Sequence, residues 1–304
     1  MKILVTGGLG FIGSHFINLL KKKEPNSEII VIDNLTYASN PNNLKTQVKL
    51  IQKDICDLDQ LPEVDYIVHF AAESHVDNSI KNGKPFIRTN VEGTYNLIEL
   101  ARQLNTLKKF IHISTDEVYG DMIIGNTTQY NIADENYSLH GSSYYSATKA
   151  SSDMLVMAAG RTYNFPYIIT RTCNNFGENQ HKEKMIPKII ECIKNDTEIP
   201  VYGDGNQIRE WIYADDNALA IYNIMVSSKV NEIYNIGSGY RITNNELIQI
   251  ISTLINKPVK FKYVKDRLGH DKAYALNCNK YQKTFGDISK INLSDWLKKT
   301  LVND

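Results

Sequence analysis

The sequence lacks an excess of either charge and any long apolar run. Lys plus Arg and Asp plus Glu each total 34 among 304 residues, so the formal net charge is zero and the pI is about 7.0. A nucleic-acid-binding protein usually carries a basic excess or stripe, and this balance argues against one while leaving room for a local basic pocket. No apolar run approaches the roughly 18 residues that a membrane-spanning helix needs. We therefore expect neither a nucleic-acid partner nor a membrane.

Cysteine is also scarce. The four cysteines, Cys56, Cys173, Cys192 and Cys278, are scattered, with no CxxC and no paired spacing of metal ligands. This distribution argues against a disulfide framework and predicts no metal site. The chain opens with KILVTGG, which is typical of a strand rather than of a signal peptide. We expect a cytoplasmic protein.

The first 170 residues contain an alternation of apolar runs and amphipathic stretches. Continuous apolar runs rich in β-branched residues are typical of strands that are buried on both faces of a parallel sheet. The pattern predicts strands at 2–7, 28–33, 48–54, 65–72, 109–115 and 167–172, and helices at 11–23, 85–105 and 144–163. Such βαβα alternation predicts an α/β fold with a doubly wound parallel (Rossmann) sheet.

A glycine-rich turn follows the first predicted strand. Gly7, Gly10 and Gly13 stand between this strand and a helix, and Asp33 follows Gly13 by twenty residues at the end of the second strand. Glycines let the backbone approach a pyrophosphate at the helix N-terminus, and the acid accepts hydrogen bonds from the ribose and repels a 2′-phosphate. Three glycines alone would also suit an ordinary tight turn, but the order strand, turn, helix, strand, acid predicts NAD rather than NADP. The predicted cofactor-binding residues are Gly7, Gly10, Phe11, Ile12, Gly13, Asp33, Asn34, Asp54, Ile55, Ala71 and Ala72, with Tyr145 and Lys149 described below.

The pattern changes beyond residue 171. Residues 181–194 have helical periodicity, and 209–227 have the pattern of a strand followed by a helix. We predict an NAD-binding Rossmann domain at 1–173 with a returning segment at about 208–236. The segments 174–207 and 237–304 are predicted to form a smaller mixed α/β lobe that binds the substrate.

Tyr145 and Lys149 lie four residues apart, one turn along the same face of the predicted helix. A phenol needs a nearby positive charge to act as a base near neutral pH, although two exposed helical residues would show the same spacing. Tyr144 lacks a lysine at that distance. Together with the glycine-rich turn, the pair resembles the extended short-chain dehydrogenase/reductase family. That resemblance implies that Lys149 also holds the nicotinamide ribose and that Thr115 hydrogen-bonds a substrate oxygen.

Two carboxylates, Asp116 and Glu117, follow Thr115 directly. Removing water from a sugar needs a base for one proton and an acid for the departing hydroxyl, and two carboxyl groups suit that task. In isolation such a stretch would be a capped turn with a solvent-facing glutamate. Its position after a buried strand favours a catalytic role instead.

This stretch resembles that of the nucleotide-diphosphate-glucose 4,6-dehydratases, and the resemblance extends over nearly the whole chain. The matching segments are DNLTYAS (33–39), HFAAESHVDNSI (69–80), STDEVYG (114–120), YSATKASSD (145–153), TRTCNNFG (170–177), VYGDGNQIREWIY (201–213) and DRLGHD (266–271). The resemblance implies a homodimer formed through the helices at 85–105 and 144–163, although Leu155, Val156 and Met157 would suit an intramolecular core equally well.

The resemblance also implies a mechanism. Tyr145 takes the proton of the C4 hydroxyl while the C4 hydride passes to NAD. Glu117 removes the C5 proton, Asp116 protonates the C6 hydroxyl as it leaves, and the hydride returns to C6. The product is a 4-keto-6-deoxy sugar, and NAD stays bound through turnover.

A diphosphate in a neutral protein needs local cations, and Arg suits it because the guanidinium can bond two oxygens at once. The resemblance implies that the substrate-binding residues are His75, Asn174, Lys184, Met185, Tyr202, Arg209, Asn235, Arg267 and His270. The cations would also suit surface ion pairs, and the asparagines would also suit buried turns. His75 would also suit a purely structural role.

Several alternatives stay open. The substrate is dTDP- or UDP-glucose or UDP-N-acetylglucosamine, with retention at C5 favoured by the Asp-Glu pair and C5 epimerisation possible. Glu117 disfavours a 4-epimerase or decarboxylase of the same fold. The intact set of Thr115, Asp116, Glu117, Tyr145 and Lys149 disfavours a catalytically idle NAD-binding regulatory protein. The short segment between Tyr119 and Tyr145, and Leu268 in place of a proline, depart from the family pattern and bear on which sugar fits.

Overall fold

The computed structural model describes residues 1–125 and 127–302, so the predicted lobe segment 237–304 extends two residues beyond it. The strands are β1 (Lys2–Thr6), β2 (Glu28–Asp33), β3 (Lys49–Gln52), β4 (Tyr66–His69), β5 (Lys109–Thr115), β6 (Tyr167–Thr172), β7 (Asn174–Phe176), β8 (Ile199–Tyr202), β9 (Ile208–Tyr213), β10 (Glu232–Ile236), β11 (Arg241–Thr243) and β12 (Phe261–Val264). The helices are α1 (Phe11–Lys23), α2 (Val76–Lys81), α3 (Lys84–Phe86), α4 (Thr94–Ala101), α5 (Tyr144–Tyr163), α6 (Met185–Lys194), α7 (Ala214–Val226), α8 (Asn244–Ile255), α9 (Asn279–Phe285) and α10 (Leu293–Val302).

A seven-stranded sheet with the order β3-β2-β1-β4-β5-β6-β10 forms the larger part of the fold, and each pair of neighbouring strands is parallel. Alternate residues of β1 enter different apolar cores: Ile3 and Val5 pack with α1 and α7, whereas Leu4 packs with α4 and α5. Burial on both faces explains why the strands are continuous apolar runs. The predicted α/β fold with a doubly wound parallel sheet is confirmed.

The predicted helices at 11–23 and 144–163 match α1 and α5, but the one at 85–105 is interrupted. The residues between α3 and α4, Ile87–Gly93, are π-helical, and α4 ends at Ala101. A π-helical turn changes the hydrogen-bond step without a clear change in apolar spacing, so the pattern does not reveal it. The helix predicted at 181–194 begins only at Met185, because Lys184 is extended.

A second apolar core lies around two smaller sheets, β11-β9-β7 and β12-β8. Side chains of α6, α8 and α10 pack there with Trp211 of β9. Of the predicted returning segment, β9 pairs in the smaller sheet, α7 packs against α1, and β10 forms the edge of the large sheet. The division into an NAD-binding domain and a substrate-binding lobe stays a prediction.

Within the described residues, no helix combines the length and apolarity needed to cross a bilayer. In the same part of the chain, no cluster of three or more histidines, cysteines or acids is arranged to hold a metal ion.

Candidate active site

A cavity of about 970 Å³ lies at the carboxyl ends of the parallel strands. The loops that follow β1, β2, β4, β5 and β6 all contribute to its wall, which is the usual ligand site of a doubly wound sheet. The predicted site residues that line it are Gly7, Gly10, Phe11, Ile12, Gly13, Asp33, Asn34, Asp54, Ile55, Ala71, Ala72, Thr115, Asp116, Glu117, Tyr145, Lys149, Asn174, Lys184 and Met185. Its volume suits a ligand of cofactor size.

The glycine-rich turn leaves backbone room at one side of the cavity. A Cβ on Gly7, whose φ is +66°, would lie 2.6 Å from the Ala71 nitrogen, and one on Gly13 would lie 2.5 Å from the Gly7 oxygen. Gly10 precedes α1 without a side-chain cap, and the first turn of α1 contains no acid. The backbone N–H groups of that turn therefore suit a pyrophosphate. The geometry fits NAD.

Asp33 is buried beside this turn. Its carboxylate accepts hydrogen bonds from the Leu9 amide (3.0 Å), the Leu35 amide (2.9 Å) and the Ser39 hydroxyl (2.7 Å). These bonds hold the loops after β1 and β2 around the acid. Asp33 thus shapes the pocket, and its role in binding a ribose stays a prediction.

The start of α5 places Tyr145 and Lys149 in the cavity wall. Ser143 caps the helix in a reciprocal arrangement: its hydroxyl accepts from the Ser146 amide (3.1 Å), and the Ser146 hydroxyl accepts from the Ser143 amide (2.9 Å). Burial raises the pKa of Tyr145, the charge of Glu117 raises it further, and a hydrogen bond with Thr115 lowers it. Burial lowers the pKa of Lys149 to about 8.

Asp116 and Glu117 are adjacent in a 3₁₀ turn, yet their surroundings differ. Asp116 is 3% exposed; Thr115 donates to its Oδ1 at 3.1 Å, and its buried Oδ2 has no hydrogen-bond partner among the described residues. Burial, with the charges of Glu117 and Glu210, raises the pKa of Asp116 well above its usual value. Burial beside a second carboxyl therefore favours the protonated form of Asp116.

Glu117 lies closer to the cations. Burial raises its pKa, while Arg267, Arg209 and Lys184 lower it. The Tyr274 hydroxyl donates to Asp271 Oδ2 at 2.7 Å and lies 3.4 Å from Glu117 Oε2. Burial prevails and the pKa of Glu117 is raised, as is that of Asp116, but the cations oppose the effect at Glu117, so the two neighbouring carboxyls have different surroundings.

Six residues predicted to bind the substrate do not line the cavity: His75, Tyr202, Arg209, Asn235, Arg267 and His270. Asn235 is fully buried in β10, where it accepts from the Tyr119 hydroxyl (2.7 Å) and donates to the carbonyls of Ala133 (2.9 Å) and Asn277 (3.2 Å). These bonds occupy its amide in the interior. The placement argues against the predicted diphosphate contact.

Arg209 and Arg267 both interact electrostatically with Glu117. Arg209 is 5% exposed, donates to the Asp271 carbonyl at 2.8 Å and stacks over the Tyr274 ring at 4.4 Å. Arg267 Nη1 lies 3.7 Å from Asp77 Oδ1. Both arginines lower the pKa of Glu117, so in this arrangement they act on the carboxylate.

The other three residues are engaged locally. His75 Nδ1 accepts from an amide in the first turn of α2, and its Nε2 lies 3.8 Å from Glu183. Tyr202 donates to Asp77 at 3.1 Å. His270 Nδ1 lies 2.6 Å from an Asp266 oxygen, and burial lowers the pKa of His270 to about 4. A neutral histidine of this kind adds no positive charge for a diphosphate.

The NAD dependent epimerase/dehydratase family model matches residues 3–237. The chain belongs to this family. The low-salt glycan biosynthesis protein Agl12 of Haloferax volcanii is 42% identical, with 92% of this chain and 91% of the relative covered. The dTDP-glucose 4,6-dehydratase of Haemophilus influenzae is 40% identical, with 99% and 97% covered. A crystal structure of DesIV, a dTDP-glucose 4,6-dehydratase from Streptomyces venezuelae with NAD and TYD bound, has a TM-score of 0.93 and 39% identity and covers 99% of this chain and 96% of its own.

Sequence reasoning missed several residues that line the cavity of this epimerase/dehydratase. Glu183 and His181 precede α6, and Glu183 accepts a hydrogen bond from Tyr37 at 3.2 Å. Arg88 lies on the π-helical segment and pairs with Asp57 at 2.8 Å. Trp211 of β9 also faces the cavity. For His181 and Glu183 the available signal is weak, since loop positions carry no periodicity.

Proposed function

We propose that the chain is an NAD-dependent nucleotide-sugar 4,6-dehydratase, a hydro-lyase that converts an NDP-hexose of the dTDP- or UDP-glucose type to the 4-keto-6-deoxy sugar. The observation that carries this proposal is the pair of adjacent carboxyls in the cavity wall, with Asp116 buried and one of its oxygens unpartnered among the described residues, and with Glu117 under the influence of Arg267, Arg209 and Lys184. Oxidation alone needs no such pair, whereas eliminating water needs one acid and one base.

NAD, when bound, accepts hydride from C4 and returns it to C6. The first turn of α1 binds its pyrophosphate, and the glycines keep that surface open. The phenol of Tyr145 removes the proton of the C4 hydroxyl, with the Lys149 ammonium favouring the phenolate. Thr115 orients the same hydroxyl through its side-chain oxygen.

Elimination falls to the two acids. The C4 ketone acidifies the hydrogen on C5, and Glu117 removes it as a proton, which C5 regains when the hydride is delivered to C6. Asp116 delivers a proton to the C6 hydroxyl, which leaves as water. Each positioned acid or base contributes roughly 10²–10⁴-fold to the rate.

On the substrate side, Asn174, Lys184 and Met185 face the cavity, and Lys184 is the one of the three that offers a positive charge to a diphosphate. Its Nζ donates to the Ser74 carbonyl at 3.3 Å, which holds the side chain across the cavity wall. A Lys184→Gln variant should raise KM more than it lowers kcat.

The proposal is tested by incubating the purified holoenzyme separately with dTDP-glucose, UDP-glucose and UDP-N-acetylglucosamine. Mass spectrometry should show loss of one water from one of them, without net accumulation of reduced nicotinamide. A product changed only in configuration at C4 would instead identify a 4-epimerase. NMR coupling constants at C5 of the product then establish retention or inversion.

We also propose that the enzyme is a homodimer through α4 and α5. Support comes from large apolar side chains exposed on this helix pair: Tyr95 is 55% and Met154 57% exposed, whereas Val156 is fully buried in the core. Light scattering of the wild type should give twice the monomer mass, and Met154→Glu should lower it. Val226→Glu, at a 43% exposed position on α7, is the matched control that should leave the mass unchanged. A monomeric wild type would overturn this assignment.

A further inference from the structure

Three ionisable side chains lie along one face of α5. Tyr145, Lys149 and Asp153 are spaced by four residues, so each lies one turn beyond the last. Lys149 is 4% and Asp153 0% exposed. The proposed mechanism uses the phenol and the ammonium and leaves the buried carboxylate without a task.

The ammonium of Lys149 has uncharged hydrogen-bond partners. Its Nζ donates to the Ile113 carbonyl at 2.8 Å and lies 3.4 Å from His112 Nε2. Burial lowers the pKa of His112 to about 4, so this histidine is neutral near pH 7. Burial also lowers the pKa of Lys149, and the charge of Asp153 opposes that effect.

The neighbouring elements supply few alternatives to Asp153 as the counter-charge. On β4, His69 is fully buried and neutral, since burial lowers its pKa. On β6, Arg171 is a cation. On the turn after β5, burial favours the protonated form of Asp116. Of the titratable groups on these elements, His69, His112 and Asp153 interact electrostatically with Lys149, Tyr145 lies one turn before it on α5, and Arg171 pairs with Asp153.

The two carboxylate oxygens of Asp153 have different surroundings. Its Oδ2 accepts from Arg171 Nε at 2.9 Å. Its Oδ1 lies 3.5 Å from His112 Nε2 and has no hydrogen-bond partner among the described residues. Arg171 has a further bond to the Tyr119 hydroxyl at 3.0 Å, so the arginine is anchored from a second side. A buried carboxylate oxygen without a partner costs stability and calls for an explanation.

We propose that Asp153 is a positioning residue that acts through Lys149: its buried charge keeps the lysine protonated and so keeps the phenol of Tyr145 competent as a base. The link to C4 oxidation rests on the proposed function, but the effect on the lysine does not. Removing an anion near a buried ammonium should lower the lysine pKa by about one unit.

The test compares Asp153→Asn with the conservative Asp153→Glu and measures Lys149 directly. Reductive ¹³C-methylation of the protein followed by NMR titration gives the pKa of this lysine, and the Lys149→Arg variant identifies its signal. This measurement does not depend on whether the protein is a dehydratase. We expect a fall of about one unit in Asp153→Asn and recovery in Asp153→Glu. An unchanged lysine pKa in a folded Asp153→Asn protein would overturn the proposal.

Two further measurements cover the remaining outcomes. The alkaline limb of single-turnover C4 oxidation should move to lower pH by the same shift in Asp153→Asn, with KM unchanged; if only thermal stability changes, Asp153 is merely structural. Should Asp153→Asn fail to fold, Arg171→Gln frees the carboxylate for Lys149 and should raise the lysine pKa. A lowered or unchanged value there contradicts the proposal. If the wild-type protein dehydrates no substrate but Asp153→Asn still lowers the pKa of Lys149, only the proposed function is refuted.

Discussion

Replacing Glu117 by glutamine is expected to separate the two halves of the proposed reaction. Glutamine has nearly the same shape, and its carbonyl oxygen can occupy the position of Glu117 Oε2, 3.4 Å from the Tyr274 hydroxyl. The amide cannot take the proton from C5, so oxidation at C4 proceeds and elimination stops. Turnover should fall roughly 10²–10⁴-fold, which corresponds to about 2.7–5.4 kcal/mol of activation free energy.

The structure also predicts the sign of a change in the first half-reaction. The charge of Glu117 raises the pKa of Tyr145. Removing that charge lowers the pKa of the phenol, which must lose its proton to act as the base. The acid limb of C4 oxidation should therefore move to lower pH in Glu117→Gln.

The assay is rapid mixing of holoenzyme with substrate while the absorbance of reduced nicotinamide is followed. In Glu117→Gln the absorbance should rise once and persist, and mass spectrometry should find no dehydrated product. Tyr145→Phe is the control, in which no absorbance should develop. Full turnover of Glu117→Gln, or an acid limb that moves to higher pH, would refute the role assigned to Glu117.

Three other predictions concern the cofactor and the scaffold. Gly13→Ala would place a Cβ 2.5 Å from the Gly7 oxygen; strain of about 1–3 kcal/mol should weaken NAD binding roughly 5- to 150-fold in equilibrium dialysis, and unchanged affinity would contradict the close approach. Lys109→Met removes donors from carbonyls at the end of α7 and should lower the free energy of unfolding by about 1–3 kcal/mol in urea. Burial lowers the pKa of His15, but its bond to Asp215 prevails and the pKa is raised. The stability that the bond between His15 and Asp215 contributes is therefore fully present below about pH 6.5 and is lost as pH rises through the folded pKa of His15. His15→Gln should lower the free energy of unfolding more near pH 5.5 than near pH 8.5. An equal loss at the two pH values would refute this reasoning.

Several assignments on the substrate side depended on tertiary contacts. Arg209 and Asn235 stand in motifs that predicted substrate binding, yet each directs its polar groups to nearby backbone carbonyls. Lys184 stands in a motif no more distinctive than those of Arg209 and Asn235, yet it faces the cavity. The direction of a long polar side chain follows from which buried carbonyls need a donor, and only packing between distant segments determines that.

The sequence alone determined six of the seven strands of the large sheet, the glycine-rich turn and the cavity position of Thr115, Asp116 and Glu117. In a parallel sheet buried on both faces, apolar runs identify the strands, and their carboxyl ends meet at one edge, so residues after consecutive strands must converge. Only the tertiary structure decided how the two acids differ, because that difference depends on Arg267 and Lys184, which come from distant segments of the chain and lower the pKa of Glu117. Electrostatic surroundings are assembled by folding, and spacing along the sequence does not contain them.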